Sequence, residues 1–567
     1  MKNKKTSPNA NLVADENPNI LGFVEAHSKL IVVAITLVTF VMALCLFNMR
    51  VDEGGDDSTY ITRAMDLVAQ GTYPTYQGPL YPIFLGVFIS MFGAKLLMLK
   101  LTSLVLILLS QYLFYRMLKG RVNIRIVFAV MFLMGVNSWY LFFASMTYSE
   151  AFYIVVQYLF LGLLLSYENS AYPSKVKDAL HSLPAGGLVV AAFLIRTVGF
   201  GFGIVGVIYL CLRKKFLKAA FFVCSMVVVM LMWTGVRTAI WGEVKSDNRQ
   251  IETLMQVHPY QVEDGQETLG GYFGRVVDNS NLYVSKHLMR ILGFRKADDR
   301  NTNPFVTLIV YAIFAFGTFK AWKNNRSVLL MALTSIVMLG ITFVVLQALW
   351  DQVRLIIPYV PIALVVILYG IYHIFKIFAG RKAHLISMIV VMMCSLLTVS
   401  QSFGKMDADV LKHNMSGDLL YGYSQDWYNY LSVCSVVYDQ LPETAYVACR
   451  KPNMARIYSG GHKFFGIYNF TTEDADELID NLREKNVTHM IVASLRRDPL
   501  VPGGEVINTI HRYMHFIVKK YPNAFRLCGS CGDAESEPTY LFEVDYKYVD
   551  AMRDALSQDA KEGVENE

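Results

Sequence analysis

The stretch Leu30-Ile-Val-Val-Ala-Ile-Thr-Leu-Val-Thr-Phe-Val-Met-Ala-Leu-Cys-Leu-Phe-Asn48 carries no charged side chain. A helix rises 1.5 Å per residue and needs about 20 apolar residues to cross a hydrocarbon core of roughly 30 Å, so this stretch reads as a membrane span. It is long for a signal-peptide core and no small-residue cleavage site follows it, so it is expected to remain as an anchor. Met42-Ala43-Leu44-Cys45 has the outline of a lipoprotein box, but Leu stands where the processing site wants a small residue. About eleven such stretches recur, at 30–48, 95–115, 126–143, 150–167, 184–196, 198–212, 219–236, 305–322, 328–347, 355–375 and 384–402. The 567 residues are 54% hydrophobic and 17% charged, which excludes a water-soluble globule and points to a polytopic α-helical membrane protein.

The net charge of +6 is small for this length and gives no reason to expect a nucleic-acid partner; membrane lipid is the expected surrounding. The placement of the charge is more informative. Basic residues gather at Lys2, Lys4 and Lys5; Arg116, Lys119, Arg121 and Arg125; Lys175 and Lys177; Arg213, Lys214, Lys215 and Lys218; Lys320, Lys323 and Arg326; and Lys376, Arg381 and Lys382. By the positive-inside rule, 1–29 is a cytoplasmic tail, 30–402 is the transmembrane module, and loops 49–94 and 237–304 face outward with the tail 403–567. The inward loops are short, which places the chemistry outside; a bacterial inner membrane is expected, with endoplasmic-reticulum residence as an alternative of the same topology. Within 49–94, Thr59–Gln70 reads as an amphipathic helix and Pro79–Gly93 as an apolar helix at the interface. The tail reads as a small extracytoplasmic α/β domain: strands at Tyr446–Cys449, His489–Ala493 and Thr539–Val544, helices at Thr472–Lys485 (N-cap Thr472) and Glu505–Lys520, and a frayed end from Ala551.

The first outward loop opens Val51-Asp-Glu-Gly-Gly-Asp-Asp-Ser-Thr-Tyr60, with four carboxylates crowded just past a span. A solvated acidic loop is the plain reading. Its two glycines also permit a tight turn, and Asp56 and Asp57 sit near the positive end of the helix that follows, which suits a general base or oxygen ligands for Mg or Mn. Together, Asp56-Asp57-Ser-Thr-Tyr60, Ala64-Met-Asp-Leu-Val-Ala-Gln-Gly71-Thr-Tyr73 and Gly78-Pro-Leu-Tyr-Pro82 resemble the first outward loop of GT-C glycosyltransferases. The narrower likeness is to the protein O-mannosyltransferase, aminoarabinose transferase and lipopolysaccharide-core transferase branch. The resemblance covers this loop strongly and the helical topology loosely. It implies sugar transfer from a lipid-phosphate donor, with Asp56 contacting the acceptor nucleophile and Tyr60 among the substrate contacts; Asp57 stands where the family often has Glu.

A phosphate leaving group needs no strong general acid, so one carboxylate base with cations around the phosphate suffices, whereas a glycosidase needs two carboxylates flanking the bond. The candidate cations are Arg196, in Leu194-Ile-Arg-Thr-Val-Gly199, and Arg354, in Trp350-Asp-Gln-Val-Arg-Leu-Ile-Ile-Pro358. Each is either snorkelling toward headgroups or binding the lipid phosphate, and both resemble family positions. Glu150, after Met146-Thr-Tyr-Ser149, is either a helix-terminal acid beside the cap Ser149 or a substrate or metal contact like an acid common in this turn of similar enzymes. His258, Glu263, Asp264 and the basic turn Cys449–Gly461 are weaker candidates. Cys528-Gly-Ser-Cys531 lacks the flanks of a redox site, so a structural disulfide is expected among Cys434, Cys449, Cys528 and Cys531, with pairing open.

The expected function is therefore an inverting glycosyltransferase acting on a polyprenyl-phosphate-linked sugar and an extracytoplasmic acceptor. A transporter or lipid-linked-sugar flippase, and a noncatalytic envelope assembly protein, are the alternatives. A transporter would carry its ionisable groups near the bilayer midplane rather than at the outward helix ends.

Overall fold

The computed structural model describes residues 22, 24–75, 78–244, 249–258, 261–296, 299–347, 349–470, 472–497, 504–533 and 537–565, without the side chains of 249–251, 261–263 and 559–565. Most of the predicted cytoplasmic tail, with Lys2, Lys4 and Lys5, lies outside them. The chain forms two compact units: residues 1–48 with 63–407, and residues 49–62 with 408–567.

Each apolar stretch expected from the sequence coincides with a helix, but not all are long enough to cross a membrane alone. Among the described residues eight helical segments pass on length and composition, or nine with the pair Ile124–Gly135 and Ser138–Ala144, which bends by 64°. The last of the eight, Val360–Phe403, is a hairpin of Val360–Ala379 and Ala383–Phe403, which pack together after a turn at Gly380–Lys382. Thr197–Leu212 is a shorter apolar helix. The chain is thus an integral membrane protein. The helix Ser149–Asn169 is the most enclosed of these segments, with 72% of its apolar window buried.

Leu80–Phe92 is helical as expected and ends at Gly93. Two other segments of this unit differ from expectation. The 237–304 stretch is more ordered than a loop: it holds the hairpin Gln256–His258/Gln261–Gln266 and a helical run from Leu269 to Ile291, of which Leu282–Leu288 is π-helix. Buried Arg275 organises it by donating to the carbonyls of Leu254, Gln256 and Val345. Tyr148, not Ser149, is the N-cap before Glu150, and no side chain caps that helix.

The other unit is a five-stranded mixed sheet with the order Phe465–Gly466, Val447–Cys449, His489–Ala493, Thr539–Val544, Phe525–Cys531. Its first three strands are parallel, and the last two pairings are antiparallel. His489–Ala493 is central and wholly buried, as a continuous apolar run in a covered sheet should be. Helices Ala475–Glu484 and Thr509–Lys520 pack on the sheet through Leu478, Ile479, Leu482, Tyr513 and Ile517. Asp474, not Thr472, caps the first by accepting from the amides of Asp476 and Glu477, because the helix starts three residues later than expected. Residues 551–565 are helical rather than frayed: they belong to the helix Tyr546–Glu565, which packs Val549 into the core.

All eight cysteines are free, against the expected disulfide. Cys528 and Cys531 lie on one extended strand, where three residues span roughly 10 Å, beyond the ~7 Å limit of a disulfide.

Candidate functional site

In the sheet unit the acidic segment folds against the turn after strand Val447–Cys449. Gly55 takes φ +86, a conformation open to glycine, and releases the chain into the helix Asp56–Gln70. Asp57 is fully buried and spends both carboxylate oxygens on this turn, accepting from the Asp52 amide at 3.0 Å and the Ser58 amide at 2.7 Å. Val51 is clasped on both sides: its amide donates to the Tyr458 hydroxyl at 3.2 Å and its carbonyl accepts from the Tyr423 hydroxyl at 2.5 Å. Asn453 donates to Thr59 Oγ1 at 2.9 Å. Tyr60 is buried, while Asp56 remains half-buried on the first turn.

Lys451 answers the negative crowding. Its ammonium donates to the Glu53 carbonyl at 2.9 Å and lies within electrostatic reach of Asp52, Asp56 and Glu53. Burial, then Arg450, lowers its pKa to about 8 against the pull of those carboxylates. Burial and neighbouring Asp52 raise the pKa of Glu53. The basic turn Cys449–Gly461 thus meets the chain's own acidic segment, and Lys451 is a residue that sequence reasoning did not single out. Its only sequence signal was a basic side chain between a strand and a Pro-started helix.

In the membrane unit the other three candidates converge. Glu150 is fully buried at the first turn of Ser149–Asn169. Its Oε1 pairs with Arg196 Nη1, and Arg354 Nε stands 3.7 Å from the same oxygen. Arg196 is presented by the extended residue that ends helix Lys175–Ile195, and Arg354 by the turn Val353–Leu355 before helix Val360–Ala379. The Arg354 guanidinium also lies over the Tyr148 ring, 4.9 Å from its centroid. Two guanidinium groups thus face one buried carboxylate, which gathers both of them at one place. Both arginines remain partly exposed, at 18% and 25%, which leaves them accessible to an anion.

Neighbouring contacts hold this cluster in place. Gln157 donates to the Pro358 carbonyl at 2.7 Å, joining the Glu150 helix to the helix after Arg354. The hydroxyls of Tyr153 and Tyr359 meet at 3.3 Å. Gly78 lies so close to the end of the Arg196 helix that an added Cβ would stand 2.2 Å from the Ile195 carbonyl oxygen, which accounts for glycine at the head of the Gly78–Pro82 step. Lys100, fully buried, donates to the Ser145 carbonyl at 2.7 Å and steadies the turn leading to Glu150. Sequence reasoning did not single out Lys100; a charged residue inside an apolar stretch is the signal that could have found it.

Neither group of candidates gathers the ligands of a metal ion. Asp57 has both oxygens committed to amides, Glu150 is engaged by guanidinium groups, and among the described residues no three His, Cys, Asp or Glu side chains cluster to hold an ion. Asp264 is exposed on the Gln261–Gln266 strand and His258 ends the strand paired with it; the Glu263 side chain lies outside the described residues.

No protein-family model and no curated protein matches the chain. Among solved structures it is similar to ArnT from Cupriavidus metallidurans bound to undecaprenyl phosphate, with TM-score 0.51 and 12% identity over 92% of this chain and 99% of that one. The apo form of the same protein gives TM-score 0.50 at 12% identity over 92% and 98%. The fold is GT-C-like. An Archaeoglobus fulgidus oligosaccharyltransferase in complex with Zn and sulfate is matched at TM-score 0.48 and 12% identity over 81% of this chain and 67% of that one, a likeness too low to carry weight.

Proposed function

We propose that the chain is a membrane glycosyltransferase that moves a sugar from a polyprenyl-phosphate donor to an extracytoplasmic acceptor, a glycolipid, polysaccharide or protein, with inversion at the anomeric carbon. The observation that carries this reading is the pair of guanidinium groups on buried Glu150, within a GT-C-like fold. Glu150 holds Arg196 and Arg354 in register, so the pair binds a phosphate without paying to assemble. That one ArnT structure holds undecaprenyl phosphate supports a lipid-phosphate donor by analogy of fold.

Asp56 is the base: its carboxylate takes the proton of the acceptor hydroxyl or amine as that atom bonds to the anomeric carbon. The bond from that carbon to the phosphate oxygen breaks, and its electron pair leaves with the polyprenyl phosphate, where the guanidinium groups stabilise the charge. Asp57 shapes the turn that presents Asp56, and Tyr60, buried one helical turn further on, is among the substrate contacts the reading assigns. The N-terminus is cytoplasmic and the sheet unit extracytoplasmic, in a bacterial inner membrane.

The test is transfer of radiolabelled sugar from a panel of synthetic polyprenyl-phosphate sugars by purified protein in lipid, with a membrane extract supplying acceptors. Transfer that disappears in Asp56→Asn and donor binding that weakens in Arg354→Ala support the reading. A protein that neither binds nor consumes any donor would be a transporter or an assembly factor instead.

A further inference from the structure

Arg354 is carried by a turn whose own anchorage lies in the outward stretch 237–304. The helix Arg326–Val345 ends at Leu346, and from there the chain runs to the turn Val353–Leu355. Hydrogen bonds to residues 253–287 hold that run along its length. Asn279 donates to the Phe343 and Leu346 carbonyls at 3.0 and 2.7 Å, and Gln347 donates to the Thr253 and Gln256 carbonyls at 2.8 and 3.0 Å. The Trp350 indole donates to Gln347 Oε1 at 2.8 Å, and the Trp350 carbonyl accepts from the Tyr283 hydroxyl. Asp351 closes the series: one carboxylate oxygen pairs with the Lys286 ammonium, and the other stands 2.6 Å from His287 Nε2. Arg354 follows three residues later.

Tyr283, Lys286 and His287 all belong to the π-helical turns Leu282–Leu288, and all three are buried. Such turns are rare and frequently stand at functional sites. The rings of Tyr283 and His287 lie one above the other, with centroids 5.2 Å apart, so that with Lys286 they present one face to Trp350 and Asp351. Taking an ammonium out of water costs about as much as its attraction to a carboxylate offsets, so a pair like Lys286–Asp351 does little for stability and serves instead to fix register. The Asp351 side chain is 42% exposed while its two partners are buried. Lys286 and His287 thus form a fixed floor, and the carboxylate fastens the loop to it. The His287 imidazole, joined by Lys286 against the effect of burial, holds the Asp351 carboxyl well below the usual carboxylate range, so the fastening is ionic at neutral pH.

On the far side of Arg354, Gln157 holds the Pro358 carbonyl at 2.7 Å. The arginine therefore sits between two pinned points. Its Nε stands 3.7 Å from Glu150 Oε1, beyond hydrogen-bond length, so where the guanidinium lies depends on the backbone that carries it.

We propose that Asp351 is a positioning residue for Arg354: fastened to Lys286 and His287, it sets the guanidinium where the phosphate of the lipid-linked donor binds. This inference rests on the phosphate-binding role of Arg354 proposed above.

The test is a pair of double-mutant cycles. Full-length protein in lipid nanodiscs would be titrated calorimetrically with a synthetic polyprenyl phosphate, as wild type, Asp351→Asn, Lys286→Met, Arg354→Ala and each of the first two combined with Arg354→Ala. Asp351→Asn and Lys286→Met remove charges of opposite sign. Acting through charge alone, the first would tighten anion binding and the second would weaken it. As members of one positioning device, both should weaken it roughly ten-fold, because a displacement near 1 Å at a positioned group is enough, and neither should weaken it further once Arg354 is gone. Lys286→Met leaves its partner carboxylate half-exposed to water, so an unchanged or higher melting temperature certifies that variant as folded. Unchanged or tighter binding by Asp351→Asn, or an equal loss with and without Arg354, overturns the inference and leaves the role of Arg354 standing. Binding by Arg354→Ala equal to wild type removes that role, and the inference falls with it.

Discussion

Asp56 and Asp57 are adjacent carboxylates with opposite employment. Asp57 accepts two amide hydrogen bonds at full burial, so Asp57→Asn, which can offer only one oxygen, should cost about 1–3 kcal/mol of stability in a denaturant titration. Asp56→Asn should instead leave the melting temperature unchanged and remove transfer. Lys451 gives a pH signature. Its folded pKa of about 8 lies below the unfolded value of 10.5, so between those two pH values the unfolded chain holds the proton more tightly and stability rises with pH. Below pH 8 both states are charged and the full penalty, about 3 kcal/mol, persists; above 10.5 it vanishes. The stability advantage of Lys451→Met over wild type, followed by thermal melting, should therefore shrink as pH rises from 8 to 10.5, and a constant difference would contradict this account.

At the scale of elements, the Glu150 cluster depends on where three helix ends stop. Gly78→Ala would push on the Ile195 carbonyl beside Arg196. Donor binding should weaken roughly ten-fold or more while the protein stays folded, because a displacement near 1 Å at a positioning group is enough. Isothermal titration with a polyprenyl phosphate would measure it. Removing Arg196 outright is a poorer probe, since it takes the nearer of two partners from buried Glu150, and breaking a buried pair costs about 3–5 kcal/mol and confounds binding with unfolding. The thiols test the sheet: Cys528, exposed on its strand, should react with a maleimide in the folded protein without prior reduction, and buried Cys434 and Cys449 only after denaturation. Protection of Cys528 until a reductant is added would show a disulfide instead.

For the whole molecule, the sheet unit is discontinuous in sequence, because it includes the segment 49–62 that follows the first span. A fragment comprising only 408–567 would leave the Tyr423 and Tyr458 hydroxyls and the Lys451 ammonium without the Val51 and Glu53 backbone groups they hold. That fragment should melt at a lower temperature than one in which 49–62 is fused to it through a flexible linker. Equal melting would mean that the acidic segment contributes nothing to the unit.

The apolar runs determined the helices by themselves, since a backbone in lipid must satisfy its hydrogen bonds internally and length alone then marks a span. Alternating and continuous apolar patterns likewise determined His489–Ala493 and Thr539–Val544 to the residue. The acidic pair, Glu150 and the two arginines were legible as candidates because each is a charge at a helix end, where it is costly to keep. What only the tertiary structure decided is which charges meet. Arg196 and Arg354, 158 positions apart in the numbering, share one carboxylate, and the acidic loop finds Lys451 rather than solvent. Cys528 and Cys531 are held apart by an extended strand that their spacing did not announce. Periodicity reports which face a residue takes on its own element; pairing between elements depends on how helix ends and turns are packed, and no local pattern encodes that.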